Sequence, residues 1–181
     1  HHGVAQVTMF DCLIEAPRLF VQKTPTDTAQ NTVAVVTTTG GGGAMLVDNL
    51  AMHGITIAKP APIISKTLSE AGVKNESPTM IDLTMAGAKP ELVQSIIENL
   101  MEDPSIDAIA MVIGSSARFY PEIAVAPLTN LQKRTKPLIS YLVPDAQASF
   151  ERLAKAGISV FRSPEACADG INNLLRWRAP S

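Results

Sequence analysis

From about residue 30 onward, short runs of β-branched and apolar residues alternate with stretches in which apolar positions recur every three or four residues. That alternation predicts strands near 33–39, 55–58, 80–83, 108–113, 138–143 and 158–161, with helices between them. The strand runs are short and β-branched or apolar and alternate with amphipathic helical stretches, as in a parallel sheet covered on both faces. The expected fold class is therefore α/β: a doubly wound, mainly parallel, flavodoxin-like sheet in a single domain, with ligands at the carboxyl ends of its strands.

The clearest helix spans 90–102, where Pro90 suits the first turn, Leu92, Val93, Ile96, Ile97, Leu100 and Met101 form one stripe, and Pro104 prevents continuation. Asp145 is placed to cap a helix over 146–156 that ends at Gly157, and Ser163-Pro164-Glu165 opens a last helix. A helix over 63–71 lies in a segment bracketed by Pro60, Pro62 and Pro78, and another falls within 115–134 despite Pro121 and Pro127. Residues 1–30 read as a linker or appendage from a preceding domain, with a short helical piece around 10–20 interrupted by Pro17 and a polar linker over 23–31. Residues 31–181 make the flavodoxin-type domain.

Three loops fall at the expected carboxyl ends: 37–43, 83–89 and 114–117. The first, Thr37-Thr38-Thr39-Gly40-Gly41-Gly42-Gly43, joins a strand to a helix expected over 44–53, so a glycine loop opens a helix directly. Glycines without Cβ atoms let backbone N–H groups converge, and the next helical turn adds unpaired donors and the positive end of its dipole. Thr39, Gly40, Gly41, Gly42, Gly43 and Ala44 thus form a candidate phosphate site, set against a purely structural tight turn. It is neither a nucleotide P-loop, since Ala44-Met45 replaces the Lys-Ser or Lys-Thr pair, nor a clear dinucleotide fingerprint, since the strand at 55–58 is followed by Lys59 rather than an acid.

Composition narrows the field. The 181 residues suit one well-buried domain, with 46% hydrophobic and 18% charged residues. A net charge of −2 and the lack of a Lys/Arg cluster argue against nucleic acid and anionic lipid as partners. No apolar run reaches the roughly 18 residues of a membrane span. Without a secretion-type N-terminus, the expected location is the cytoplasm. Cys12 and Cys167 fit no metal-ligand spacing and read as buried or half-buried thiols; no metal site is expected, and His1 and His2, a tag remnant or native sequence, are set aside.

Among side chains, His53 lies at the far end of the glycine-opened helix and suits its C-terminus better than a phosphorylation site. Asp82 ends a strand, where an acid can position a substrate, orient a histidine or accept N–H bonds from the next loop. Thr84, Ser115 and Ser116 are possible hydroxyl donors to a phosphoryl oxygen or simple caps. No histidine is near enough in sequence to activate either serine.

These loops together resemble one family. Val35-Val36-Thr37-Thr38-Thr39-Gly40-Gly41-Gly42-Gly43, then Ile81-Asp82-Leu83-Thr84, then Asp103-Pro104-Ser105-Ile106-Asp107-Ala108, look like the succinyl-CoA-ligase-like domain of NDP-forming acyl-CoA synthetases. Lys136-Pro137-Leu138, Leu153-Ala154-Lys155-Ala156-Gly157-Ile158 and Ser163-Pro164-Glu165 extend the likeness toward the C-terminus. It is also similar to the carboxy-terminal domain of the succinyl-CoA synthetase β subunit. Family members commonly show Thr-Asn-Ala-Gly-Gly-Pro-Gly, where this chain has Thr38, Thr39 and Gly42 in place of Asn, Ala and Pro.

The resemblance implies an acid-thiol ligase in which acid, ATP and CoA give acyl-CoA, ADP and phosphate through an acyl phosphate and a phosphohistidine. It implies CoA-binding and ATP-grasp domains as partners, fused or separate, which hold CoA and ATP with magnesium. This domain would bind no cofactor alone, supply no catalytic residue, be inactive in isolation, and offer its glycine-rich helix N-terminus to the phosphohistidine. The pocket that selects the acid is expected largely in the other domains. Valine at both Gly42 and Gly43 is expected to abolish phosphoryl transfer with little loss of folding. The alternatives are a stand-alone flavodoxin-like module for a small anion or nucleotide, and a catalytically silent docking domain.

Overall fold

A computed structural model describes residues 3–22, 31–75, 77–84 and 89–178. Six parallel strands form one sheet: β1 (Thr32–Thr37), β2 (Thr56–Ile57), β3 (Ile81–Asp82), β4 (Ala108–Ile113), β5 (Leu138–Leu142) and β6 (Ser159–Phe161). The order is β2-β1-β4-β5-β6, and β3 also pairs with β1. β2 and β3 share one edge of β1: β2 meets its beginning at Thr32↔Thr56 and β3 its end at Thr37↔Asp82. β5 and β6 lie beyond β4 on the other side, so the winding reverses between β1 and β4, where such sheets open a ligand crevice.

Side chains along each strand divide between two cores with period two. On one face, Ala34 and Val36 of β1 and Ile109, Met111 and Ile113 of β4 meet α4 (Pro62–Glu70), α5 (Pro90–Glu102), α7 (Pro121–Thr129) and α8 (Gln147–Lys155). On the other, Val33, Val35, Ala108, Ala110 and Val112 meet α1 (Phe10–Glu15), α2 (Pro17–Gln22), α3 (Gly40–Met52) and α9 (Pro164–Arg176). A short helix, α6 (Ser116–Phe119), leads into α7. Each fully buried leucine or isoleucine in these layers contributes about 1.5–3 kcal/mol.

The helix ends follow local chemistry. Left-handed Gly54, Gly72 and Gly157 terminate α3, α4 and α8, and the residue after each donates back to the carbonyl five positions earlier, as in Ile158 N to Leu153 O at 2.9 Å. Ser163 caps α9 by accepting the Ala166 N–H at 3.2 Å. Asp145 does not cap α8, which starts at Gln147 after Ala146; its carboxylate instead accepts from Arg162 Nε at 3.1 Å. Arg162 also binds Glu15 of α1 at 3.0 Å and lies 3.8 Å over the Phe150 ring.

The N-terminal segment packs against the domain body. Cys12, Ala16 and Leu19 are buried in the second core, Trp177 Nε1 donates to Gly3 O at 2.7 Å, and Phe20 meets the Trp177 ring edge-on. Residues 10–22 are thus packed onto the domain body, while the polar linker expected over 23–31 falls almost wholly outside the described residues. Buried Asp169 of α9 anchors this packing, accepting the Thr8 and Met9 N–H groups at 2.7 and 3.1 Å and Asn173 Nδ2 at 3.0 Å. Asp169→Ala strands these donors and is expected to cost about 1–3 kcal/mol, read as a lower urea midpoint; an unchanged midpoint contradicts the anchoring role.

Candidate functional site

The glycines are not a loop before the helix; they are its first turn. α3 begins at Gly40, with Thr39 as an extended N-cap whose side chain makes no capping bond. Propensity favours a later start, because glycine is among the weakest helix formers. Packing overrides it: a Cβ on Gly42 would lie 2.6 Å from Val143 Cγ1, and one on Gly43 would lie 2.8 Å from Thr37 Cγ2 and 2.9 Å from Met80 Sδ. Only bare backbone brings this turn so close to the strand ends.

Several expected donors are already engaged. Thr37 Oγ1 accepts the Thr39 N–H at 3.0 Å and donates to Thr39 O at 2.7 Å, and Gly43 N–H closes on Thr39 O at 2.9 Å. Ala44 falls within the helix's own ladder. Thr39, Gly43 and Ala44 therefore do not offer N–H groups to a ligand. The N–H groups of Gly40, Gly41 and Gly42 have no partner among the described residues, with Gly41 exposed, Gly40 half-buried and Gly42 buried. A Cβ on Gly41 would meet nothing within 4 Å among the described residues. α5, α7 and α9 each carry a glutamate in the first turn, whereas α3 carries no acid there.

The neighbouring loops converge on this end. Thr38 N donates to Val112 O at 3.0 Å, and Thr38 Oγ1 accepts the Gly114 N–H at 3.1 Å. A Cβ on Gly114 would sit 2.9 Å from Thr39 Cβ, so this glycine also permits a close approach. Asp82 lies on the β3 side: its Oδ1 accepts both the N–H and the hydroxyl of Thr84, at 2.8 and 2.6 Å. Its Oδ2 lies 3.3 Å from where a Gly40 Cβ would stand. Thr84 thus serves Asp82 and not a ligand. Ser115 is exposed at the start of α6, away from any hydrogen-bonding partner for its hydroxyl among the described residues, while Ser116 joins Thr38 in lining a cleft.

That cleft, about 390 Å³, lies between α5 and α7 and was not foreseen from sequence. Met111 and Ile113 of β4 contribute its floor, with Val93, Ile123 and Pro127 on its walls. The only early signal was the run of apolar residues in α6 and α7, where Phe119, Tyr120 and Ile123 prove to be exposed.

Other nucleophiles are remote or inert. His53 caps the far end of the 13-residue α3, about 20 Å from Gly40 by helical rise. Cys12 and Cys167 are both buried, and loss of solvation pushes the Cys12 thiol up to about 12 and Cys167 well above its ordinary value. The described residues hold no group of three or more His, Cys, Asp or Glu suited to a metal ion, and no helix among them is long and apolar enough to cross a membrane.

No family model matches the sequence, and no curated protein matches it. Solved structures do. PH0766 from Pyrococcus horikoshii OT3 superposes with a TM-score of 0.76 at 22% identity, over 96% of this chain and 41% of that one. The dinucleotide-forming acetyl-coenzyme A synthetase 1 of Candidatus Korarchaeum cryptofilum matches in its apo form with a TM-score of 0.74 and in complex with phosphate and ADP with 0.75. Both matches are at 18% identity, over 95% of this chain and 38% of that one. These likenesses establish the fold. The chain spans about two fifths of the length of the proteins it matches.

The contacts give opposite expectations for adjacent glycines. Gly41→Ala meets open space and raises stability by about 0.4–1 kcal/mol. Gly42→Ala meets Val143 and lowers it by about 1–3 kcal/mol. Thermal unfolding of both variants checks this, and equal shifts contradict the packing. Valine at both Gly42 and Gly43 would for the same reason damage folding, contrary to the expectation from sequence.

Proposed function

We propose that this chain is a domain of an NDP-forming acyl-CoA synthetase and that the N-terminus of α3 receives a phosphoryl group carried on a histidine of another domain. The observation that carries this reading is the trio of N–H groups at Gly40, Gly41 and Gly42 that have no partner among the described residues, placed beside the crevice where the winding of the sheet reverses. The fold likeness to an acetyl-coenzyme A synthetase, one of whose structures is a complex with phosphate and ADP, supports it. So does the order of the sequence segments that resemble the family.

In this scheme acid, ATP and CoA become acyl-CoA, ADP and phosphate through an acyl phosphate and a phosphohistidine. ATP with magnesium and CoA are held by ATP-grasp and CoA-binding domains, the partners of this one. The fixed amides and dipole of α3 stabilise the visiting phosphoryl oxygens by about 0.3–1 kcal/mol when exposed and up to ~2 kcal/mol when a partner domain covers the end. Closure also excludes water, which strengthens each of these contacts. Asp82 Oδ2, beside Gly40, is placed to accept the N–H of an incoming imidazole and set its orientation. The domain then positions and stabilises without supplying a reacting group.

One observation favours the docking-domain alternative: the Asp82 carboxylate already places negative charge beside the helix end. A charge at Gly41 separates the two. Gly41→Asp fits the open space and the helix dipole, so folding is kept or improved, yet its carboxylate repels a phosphoryl group. In the enzyme assembled with its CoA-binding and ATP-grasp domains, this variant is expected to lose acyl-CoA formation by at least about tenfold, the equivalent of 1.4 kcal/mol. Wild-type turnover favours the docking reading. The chain alone, given labelled ATP, acid and CoA, is expected to form no acyl-CoA and take no label; stable phosphate on His53 overturns the assignment.

A further inference from the structure

We propose that the outer face of the N-terminal helices α1 and α2 is a self-association surface, on which a second copy of this chain docks antiparallel about a twofold axis. Ala16, between the two helices, keeps helical dihedrals (φ −74°, ψ −24°), so residues 10–22 run as one nearly continuous helix. One side of it, with Cys12, Ala16 and Leu19, is buried in the second core and meets α9 and β6. The opposite side carries Phe10, Leu13, Ile14, Pro17 and Val21, at the three- and four-residue spacings of a single helical stripe. All five are exposed, Phe10, Ile14 and Val21 by 74%, 66% and 87%. A helix face turned to solvent is ordinarily polar, so an apolar stripe here marks a contact.

At these exposures Phe10, Leu13, Ile14 and Val21 leave on the order of 500 Å² of apolar surface in water, toward the top of the roughly 300–600 Å² range of the largest patch on a monomer. Doubled across a twofold, with Pro17 and the polar flank added, this reaches the roughly 1,200 Å² at which specific interfaces begin. The flank decides the occupant. Asp11 and Arg18 are exposed and seven residues apart, hence on the same side of the stripe, and neither forms an ion pair with a described residue. Two helices related by a perpendicular twofold run antiparallel and keep corresponding flanks on the same side of their contact. With the axis between Ile14 and Glu15, Asp11 of each copy stands level with Arg18 of the other, so both pairs form at once. Phe10 then packs between Pro17 and Val21 of the other copy, and the two Ile14 side chains meet near the axis. Arg18 Nη1 donates to Ala154 O at 2.6 Å, which fixes the guanidinium and leaves its other nitrogens to pair. Glu15 is engaged by Arg162 at 3.0 Å and puts no acid at the axis. A face that carries its own complement of charge fits a copy of itself.

Sedimentation equilibrium of the full chain is the test. A monomer–dimer equilibrium with a dissociation constant of about 1–100 μM is expected, as suits a small interface. Ile14→Glu sets two carboxylates against each other at the axis and weakens dimerisation by about a hundredfold or more. Asp11→Arg and Arg18→Asp each bring like charges together and weaken it about tenfold. Mixed in equal amounts, these two variants restore both pairs in a heterodimer of wild-type affinity, an outcome specific to antiparallel copies. Thermal unfolding of dilute protein reports folding of each variant. Ile14→Glu and Asp11→Arg lie at exposed positions and keep the proposal testable should Arg18→Asp lose stability with its Ala154 bond. A chain that stays monomeric to about 500 μM, a dimer indifferent to Ile14→Glu, or two folded charge variants that fail to recover on mixing overturns the proposal.

A monomeric chain that binds a CoA-binding or ATP-grasp domain, and loses that binding in Ile14→Glu, assigns the face to the other domain and likewise overturns the second copy. The proposal is independent of the role given to α3. Gly41→Asp is expected to leave dimerisation unchanged, and a weaker dimer in that variant places the contact elsewhere.

Discussion

The approach of the first turn of α3 to the ends of β1 and β4 governs the carboxyl face of this sheet. At Gly42 and Gly43 that approach leaves no room for a Cβ, and at Gly114 the neighbouring loop comes equally close to Thr39. Each glycine in a helix costs about 1 kcal/mol relative to alanine, so a run of four is an expensive way to begin one. Packing accounts for Gly42 and Gly43, and the Asp82 carboxylate crowds Gly40. Nothing among the described residues crowds Gly41. On the proposed reading, this glycine serves a phosphoryl group that comes from outside the domain.

The same approach fits the proposed role, in which the domain takes part in phosphoryl chemistry without a reacting group. Thr37 and Thr38 use their hydroxyls to fix the turn, the first on Thr39 and the second on Gly114, so the three amides without a partner among the described residues are held in place. Preorganised dipoles need no rearrangement when charge reaches them. Nucleophiles that could compete are distant, as His53 is, or buried and protonated, as Cys12 and Cys167 are.

Much of this was legible in the sequence, for physical reasons. β4 matches its expected span because six consecutive apolar residues between helical segments have few other solutions. α5 was readable from its stripe and its two prolines. The start of α3 was not, because local propensity favours a loop and only the contacts with Val143, Thr37 and Met80 show why glycine is needed inside the helix. Asp145 was misassigned as a cap because the claim of Arg162 on its carboxylate spans 17 residues. In the N-terminal segment, the buried stripe of Cys12, Ala16 and Leu19 is masked by the exposed apolar residues Phe10, Leu13 and Ile14. The cleft assembles residues from the turn after β1 and from β4, α5, α6 and α7 and leaves no contiguous signature.

The central claim is that the first turn of α3 is a receptor for phosphoryl oxygens. Titration of the nitrogen-15-labelled chain with inorganic phosphate tests it most directly. Saturable shifts of the Gly40, Gly41 and Gly42 amides, without matching shifts at the acid-bearing first turn of α5, are the expected result. Unmoved glycine amides, or equal responses at both helix ends, would contradict it.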